Sequence, residues 1–219
     1  MNKKQLGLIH TSATLVPIFQ QLCKAKLPGV ETFHIADDSL IKDVIRCGEL
    51  TPRTARRVVD HVVSAETAGA DYILVTCSSI GRAVETAAGL ADVPVLRVDQ
   101  PMADTALESG GRIGVIATLS TTLEPTADLI QRRAVKVSQE IQIVSHLCEG
   151  AFEALMTGDG ARHDLLVSGA LKELASQVDV IVLAQASMAR VVDGLGMEDK
   201  LVPILASPPI AVDFLASVL

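Results

Sequence analysis

The sequence predicts an α/β protein in which parallel strands are covered by helices on both faces, a doubly wound architecture. Three observations carry that expectation. Short runs such as Tyr72–Val75, Ile113–Ile116 and Val180–Leu183 are apolar throughout, without the polar alternation of a half-solvated strand. They alternate with longer amphipathic stretches. The third is a repeat about half the chain long: AGADYILVTCSS (68–79) aligns with SQVDVIVLAQAS (176–187) at an offset of 108. QLGLIHT (5–11) aligns with RIGVIAT (112–118) at 107, and VPVL (93–96) with VPIL (202–205) at 109. Three blocks in one order at a near-constant offset indicate an internal duplication.

In order, strands are expected at 6–9, 31–34, 72–75, 95–98, 113–116, 141–144, 180–183 and 204–205. Helices are expected at 15–25, 39–47, 52–68, after Ser79, and at 102–109, 124–135, 152–157 and 163–176. Thr51-Pro52 is an N-cap followed by proline at the first helical position. Gly48 and Gly69 fall where a helix end favours a left-handed residue. The segment 206–210 (ASPPI) is expected to be a turn before a final helix. The duplication gives a first lobe of 1–98 plus 207–219 and a second of 99–206, with strand carboxyl ends meeting at a shared cleft, the edge where open parallel sheets bind ligands.

Composition narrows the function. The 219 residues carry a net charge of −7 with a pI near 5.2, which argues against a phosphate-backbone footprint. One Tyr, four Phe and no Trp leave little for base stacking. With 49% hydrophobic residues and a mean hydropathy of +0.39, the chain has ample material for a core. Apolar stretches are too short or too interrupted for a membrane span or secretory leader, so a cytoplasmic protein is expected. The cysteines, at 23, 47, 77 and 148, form neither a CxxC motif nor a zinc cluster, and no metal is expected. An apolar chain of this kind is expected to form a homo-oligomer.

The candidate chemistry gathers at strand ends. Cys77 closes an apolar strand and opens Ser78-Ser79-Ile80-Gly81, a helix start whose N–H groups favour a thiolate. Its counterpart in the second half is Gln185. Thr11, Ser12, Thr76, Ser78, Ser79, Thr118, Ser120, Thr121, Thr122 and Ser187 lie at or just past strand carboxyl ends, where hydroxyls and free N–H groups hold carboxylates without Lys or Arg. Cys23 reads as core, Cys47 as a helix-end residue, and Cys148 as a thiol able to approach the cleft. His10 ends the first strand and titrates in the range needed to assist a thiol. Arg53, Arg56 and Arg57 read as a solvated helix face, and no P-loop or dinucleotide loop is present.

VTCSSIG, RIGVIATLSTT, VIVLAQASM and VPILASPPIAVDFL resemble the aspartate/glutamate/hydantoin racemase superfamily over nearly the whole chain. The resemblance implies two pseudo-symmetric flavodoxin-like lobes, no cofactor, and a small carboxylate substrate in the cleft. Family enzymes use two cysteines, one for each face of the substrate carbon. Cys77 matches the first; Thr11, Thr118 and Thr121 match carboxylate-holding residues, with Ser78 and Ser79 as polar contacts beside the thiol, while Ser12, Ala186 and Ser187 join the candidate binding set as residues of the matched strand ends. His10 stands where glutamate racemases carry an aspartate assisting the first cysteine. The second cysteine is absent: the chain reads Ala184-Gln185-Ala186, and an amide has no usable proton. The expectation is acid/base chemistry by Cys77 at the carbon next to a carboxylate, with Gln185 holding a carboxylate or carbonyl. The alternatives are a single-cysteine lyase or isomerase, as in the superfamily's arylmalonate decarboxylase and maleate isomerase, and a non-catalytic carboxylate binder.

Overall fold

The computed structural model describes residues 3–196 and 199–219. The chain forms two compact units, residues 1–100 with 208–219 and residues 101–207. In the first, β1 (Gln5–His10), β2 (Glu31–Ala36), β3 (Tyr72–Val75) and β4 (Val95–Arg97) form a parallel sheet of order β2-β1-β3-β4. Around it lie α1 (Leu15–Lys26), α2 (Asp38–Cys47), α3 (Pro52–Thr67) and α4 (Gly81–Ala88). The second unit carries β5 (Arg112–Ala117), β6 (Gln142–Leu147), β7 (Val180–Leu183) and β8 (Ile204–Ala206) in the order β6-β5-β7-β8, again all parallel. Its helices are α5 (Gln100–Ser109), α6 (Ser120–Lys136), α7 (Ala151–Met156), α8 (Gly160–Ala175) and α9 (Ala189–Asp193), and α10 (Ser207–Val218) ends the chain.

The apolar runs are strands because both faces are covered. In the first unit Ile9, Ile73 and Val75 pack with Leu40, Val58, Val62 and Val84 from α2, α3 and α4. On the other face Leu6, Leu8 and Leu74 meet Phe19 and Cys23 of α1 and Ala211, Val212 and Leu215 of α10. In the second unit Ile116, Ile181 and Leu183 pack with Val167, Leu171 and Leu174 of α8 and Val191 of α9. The local signals act as physical chemistry dictates. Asp37, Thr51 and Asp159 cap α2, α3 and α8 by accepting backbone N–H groups at 3.0–3.2 Å. Gly48 ends α2 at φ +73°, a conformation only glycine adopts freely.

The units also repeat one hydrogen-bonding scheme. The Asp71 carboxylate accepts from Gln5 N–H at 2.7 Å, as the Asp179 carboxylate does from Arg112 N–H at 2.8 Å. Thr76 N–H donates to Ile9 O and Ala184 N–H to Ile116 O, at 2.9 and 3.0 Å.

Four expectations need correction. The ASPPI segment is not a turn: Ala206 ends β8 and Ser207 begins α10, with Pro208 and Pro209 in a first turn whose N–H groups have no intrahelical acceptor anyway. Helix α6 starts at Ser120 rather than at 124, so Pro125 lies inside it and removes the N–H that would have reached the Thr121 carbonyl. Helix α9 was not expected at all. Strand β6 runs on to Leu147, since at the sheet edge Ser145 stays exposed and His146, on the opposite face, is only half-buried. No helix among the described residues is long and apolar enough to cross a membrane.

Candidate functional site

Strand β3 ends at Val75, and the next residues turn out of the sheet. Cys77 has extended backbone (φ −135°, ψ 120°) and precedes a 3-10 turn at Ser78–Ile80 that runs into α4. This geometry points the N–H groups of the turn back at the thiol. The sulfur meets the hydroxyls of Thr11 and Ser79 and the backbone N–H groups of Ser79 and Ile80. Burial raises the thiol above its usual range, and these four contacts pull against that rise. The ligand-free resting form is therefore the thiol, in a shell able to stabilise a thiolate. Thr11, Ser78 and Ser79 are each at least 95% buried. Ser12 turns elsewhere: its hydroxyl bonds Thr14 Oγ1 at 2.7 Å and accepts from Thr14 N–H at 3.4 Å, bracing the approach to α1.

His10 is fully buried, and both ring nitrogens are engaged, Nδ1 with Thr76 Oγ1 and Nε2 with His34 Nδ1, each at 2.9 Å. Burial, and then the neighbouring His34, lower its pKa to about 4. The assistance to Cys77 that the sequence left open for His10 is thus corrected: with both ring nitrogens engaged, its contact nearest the thiol is the bond to Thr76, the residue before Cys77. His34 was missed. It is a mid-strand residue of β2, and nothing in a period-2 pattern marks such a histidine as a partner.

A second omission is Arg97. Its guanidinium is 2% exposed and grips Asp99 with both Nε and Nη2, at 2.8 and 2.7 Å, and also pairs with Glu85 of α4. It lies directly against Gly81, where α4 begins, so any Cβ there would collide with it. The cluster ties the end of β4 to the helix that follows the thiol. The signal was present in the sequence as charged residues closing an apolar strand, Leu96-Arg97-Val98-Asp99.

In the second unit the corresponding strand end is built alike. Gln185 follows β7 with extended backbone (φ −132°, ψ 136°), and a 3-10 turn at Ala186–Met188 leads into α9. Gln185 Oε1 accepts from the Thr118 N–H at 2.6 Å and from the Thr118 hydroxyl at 3.0 Å. The Thr121 hydroxyl is enclosed and without a partner. Ala186 and Ser187 are half-buried in the turn. Cys148 belongs to the core beside Ile116 and Ala151, and burial pushes its thiol up to about 11. Among the described residues no three His, Cys, Asp or Glu side chains are placed to hold a metal ion.

Two α/β units of one strand order, the first ending its third strand in a thiol ringed by donors, define a class: doubled α/β proteins whose reactive groups sit at strand carboxyl ends. Within it, the chain belongs to the Asp/Glu/hydantoin racemase family, whose model matches residues 6–215. It is 26% identical over 193 residues to a glutamate racemase of Streptococcus gordonii (strain Challis), a match covering 84% of this chain and 69% of that protein. Its fold is that of a putative Asp/Glu racemase from Yersinia pestis (TM-score 0.72, 20% identity, 98% of each chain). It is likewise similar to the glutamate racemase from Francisella tularensis in complex with D-glutamate (TM-score 0.74, 14% identity, all of this chain and 82% of that one).

Proposed function

We propose that this protein is an isomerase-type enzyme that moves a proton at the carbon next to the carboxylate of a small acid or amino acid, using Cys77 and no cofactor. The observation that supports it is the convergence of four donors on one sulfur: the Thr11 and Ser79 hydroxyls and the Ser79 and Ile80 N–H groups. A structural thiol in an apolar core has no such shell; Cys23 and Cys148 do not. In the forward step the thiolate takes the α-proton, forming an S–H bond and leaving the electron pair in an enediolate. In the return step the S–H gives its proton back to the same face, which is solvent exchange with retention, or solvent protonates the opposite face while the S–H releases its proton to solvent, which is inversion; in both the thiolate is restored. The donor shell lowers the cost of the thiolate in each cycle.

The test is α-proton exchange in D2O with the two enantiomers each of aspartate and glutamate, followed by NMR, with chiral chromatography for inversion. Deuterium incorporation that disappears in Cys77→Ala, and falls steeply in Cys77→Ser, is the expected result. Exchange in Cys77→Ala at the wild-type rate would overturn the reading. Loss of carbon dioxide from a malonate with the same Cys77 dependence would move the thiol to lyase chemistry. Carboxylate binding without exchange, indifferent to Cys77→Ala, would make the protein a binder.

A further inference from the structure

Within the second unit a cavity of about 340 Å³, the size of a small-molecule site, opens between α8 and α9 with the residues that follow it. Two residues of its lining, Asp164 of α8 and Arg190 of α9, form an ion pair that is closed on one side only. Where Arg133 meets Asp104, and Arg97 meets Asp99, two parallel bonds take both carboxylate oxygens. Arg190 instead reaches Asp164 through Nη2 alone, 2.8 Å from Oδ1. A histidine sets this geometry. His163 is fully buried, and its Nδ1 lies 2.7 Å from the same Oδ1; a carboxylate only accepts, so that nitrogen carries a proton. Arg190 Nη2 passes 3.4 Å from it, and the ring nitrogen then has no lone pair to offer. His163 Nε2 is buried without a partner, so the ring's one bond goes to Asp164. Oδ1 is thus engaged twice, while Oδ2 and the remaining N–H groups of Arg190 have no partner among the described residues. Beside the pair the lining is aliphatic: exposed Leu165 on α8, with the edges of Val191 and Leu195.

We propose that this cavity is a binding site for a free α-amino acid with an aliphatic side chain, built without any residue of the Cys77 site. The ammonium group donates to Asp164 Oδ2, the carboxylate accepts from the unused N–H groups of Arg190, and the side chain lies on Leu165, Val191 and Leu195. Three features select that class. The lining offers one free acceptor and one cationic fork, which suits a zwitterion; a lone anion or a lone cation would gain one partner and face one like charge. Asp164 and Arg190 are already bonded to each other, so their free atoms belong to touching groups, and an α-amino acid carries its two charges a single carbon apart. The rest of the lining has nothing for a charged side chain, since the Ser168 hydroxyl already donates to the Leu165 carbonyl at 3.1 Å. Aspartate and glutamate are therefore disfavoured here, because their second carboxylate would be desolvated without a partner.

The test titrates L- and D-leucine into the intact chain, followed by calorimetry and by methyl NMR. At least one enantiomer is expected to bind saturably and to move the methyl signals of Leu165, Val191 and Leu195. Three analogues separate the contacts. 6-Aminohexanoate is an isomer of leucine with its charges at opposite ends, 4-methylpentanoate lacks the ammonium group, and 3-methylbutylamine lacks the carboxylate. Each should bind about tenfold more weakly or worse, as leucine should to Asp164→Asn and to Arg190→Gln, the loss expected for a charge-assisted hydrogen bond. The wild-type comparison of leucine with its analogues stands even if neither variant folds. No binding of either enantiomer, or unmoved methyl signals at the three residues, would overturn the proposal. So would an analogue that binds within about twofold of leucine, or a folded variant that binds leucine within about twofold of wild type. Binding that moves the Thr11 and Ser79 signals and leaves these methyl groups still would put leucine at the thiol, and that too overturns it.

Discussion

His10 Nε2 and His34 Nδ1 lie 2.9 Å apart, and the neighbours of the pair fix which ring carries the shared proton. The Thr76 hydroxyl donates to the Ile9 carbonyl at 3.2 Å, so its oxygen must accept from His10 Nδ1–H. His10 Nε2 is then bare and accepts from His34 Nδ1–H. That leaves His34 Nε2 as a lone pair, buried and without a partner. Both rings are neutral, and the chain of bonds runs from β2 through β1 to the residue before Cys77.

The neutral pair makes stability depend on pH in a defined window. His10 holds no proton until pH falls to about 4, whereas an unfolded histidine protonates near 6.5. Between those values the unfolded chain binds more protons, so stability falls as pH is lowered from about 6.5 to 4, by at most about 3 kcal/mol. Asp37 acts lower down. Burial raises its carboxyl, but hydrogen bonds from the Ser39 side chain, His61 and the Ser39 N–H, with the Arg57 charge, bring it to about 2. Its contribution is present above about 3.8 and is lost as pH falls towards 2. Urea midpoints across this range should show two successive declines, and His10→Gln should flatten only the upper one. An upper decline unchanged in that variant would refute the assignment.

The Arg97 cluster should be costly to cut. Arg97→Met leaves Asp99, itself fully buried, without its partner, and a loss of about 3–5 kcal/mol is expected in chemical denaturation. Gly81→Ala should also destabilise, because the new methyl group must displace a guanidinium held by both Asp99 and Glu85. Wild-type stability in Gly81→Ala would mean that Arg97 yields more easily than its hydrogen bonds imply.

Much of this fold was legible because parallel-sheet chemistry is local. An apolar run of four residues covered on both faces leaves no polar alternation, and Tyr72–Val75 and Val180–Leu183 match the observed strands residue for residue. Thr51-Pro52 and Gly48 are read directly from their conformational preferences. What could not be read depends on residues distant in sequence. His34 gains meaning only from His10, 24 positions earlier, and Thr118 is engaged by Gln185, 67 positions later. Helix α9 was invisible because five residues carry too little periodicity to register. Ser207–Pro209 misled because consecutive prolines signal a turn unless they fall in a helix's first turn.

Gly7 and Gly114, which the repeat aligns, predict unequal responses to the same change. A Cβ at Gly114 would sit 2.7 Å from Leu174 Cδ2 and 2.9 Å from its Cγ, the branched heart of a side chain packed in the core. At Gly7 the nearest atom is Phe33 Cζ, the tip of a ring in an edge strand, at 3.0 Å. Gly114→Ala is therefore expected to cost about 1–3 kcal/mol by overpacking, and Gly7→Ala less. Thermal denaturation of the two variants side by side decides it, and the reverse order would contradict the packing described for the second unit.

The four thiols should separate cleanly by reactivity. Cys47, exposed at the end of α2, should react at once with a disulfide reagent such as DTNB in the native protein. Cys23 and Cys148 are buried, and burial pushes both thiols up to about 11, so they should react only on unfolding. Cys77 should fall between them. It is half-buried and its pKa is raised by burial, yet Thr11, Ser79 and Ile80 stand ready to stabilise its thiolate. In Cys47→Ser, the slow native phase should amount to one thiol, vanish in Cys47→Ser/Cys77→Ala, and slow further when a binding carboxylate is added. Two or more thiols reacting in native Cys47→Ser would show that the buried cysteines open to solvent. No reaction short of unfolding would show that the Cys77 thiol is closed to molecules of that size.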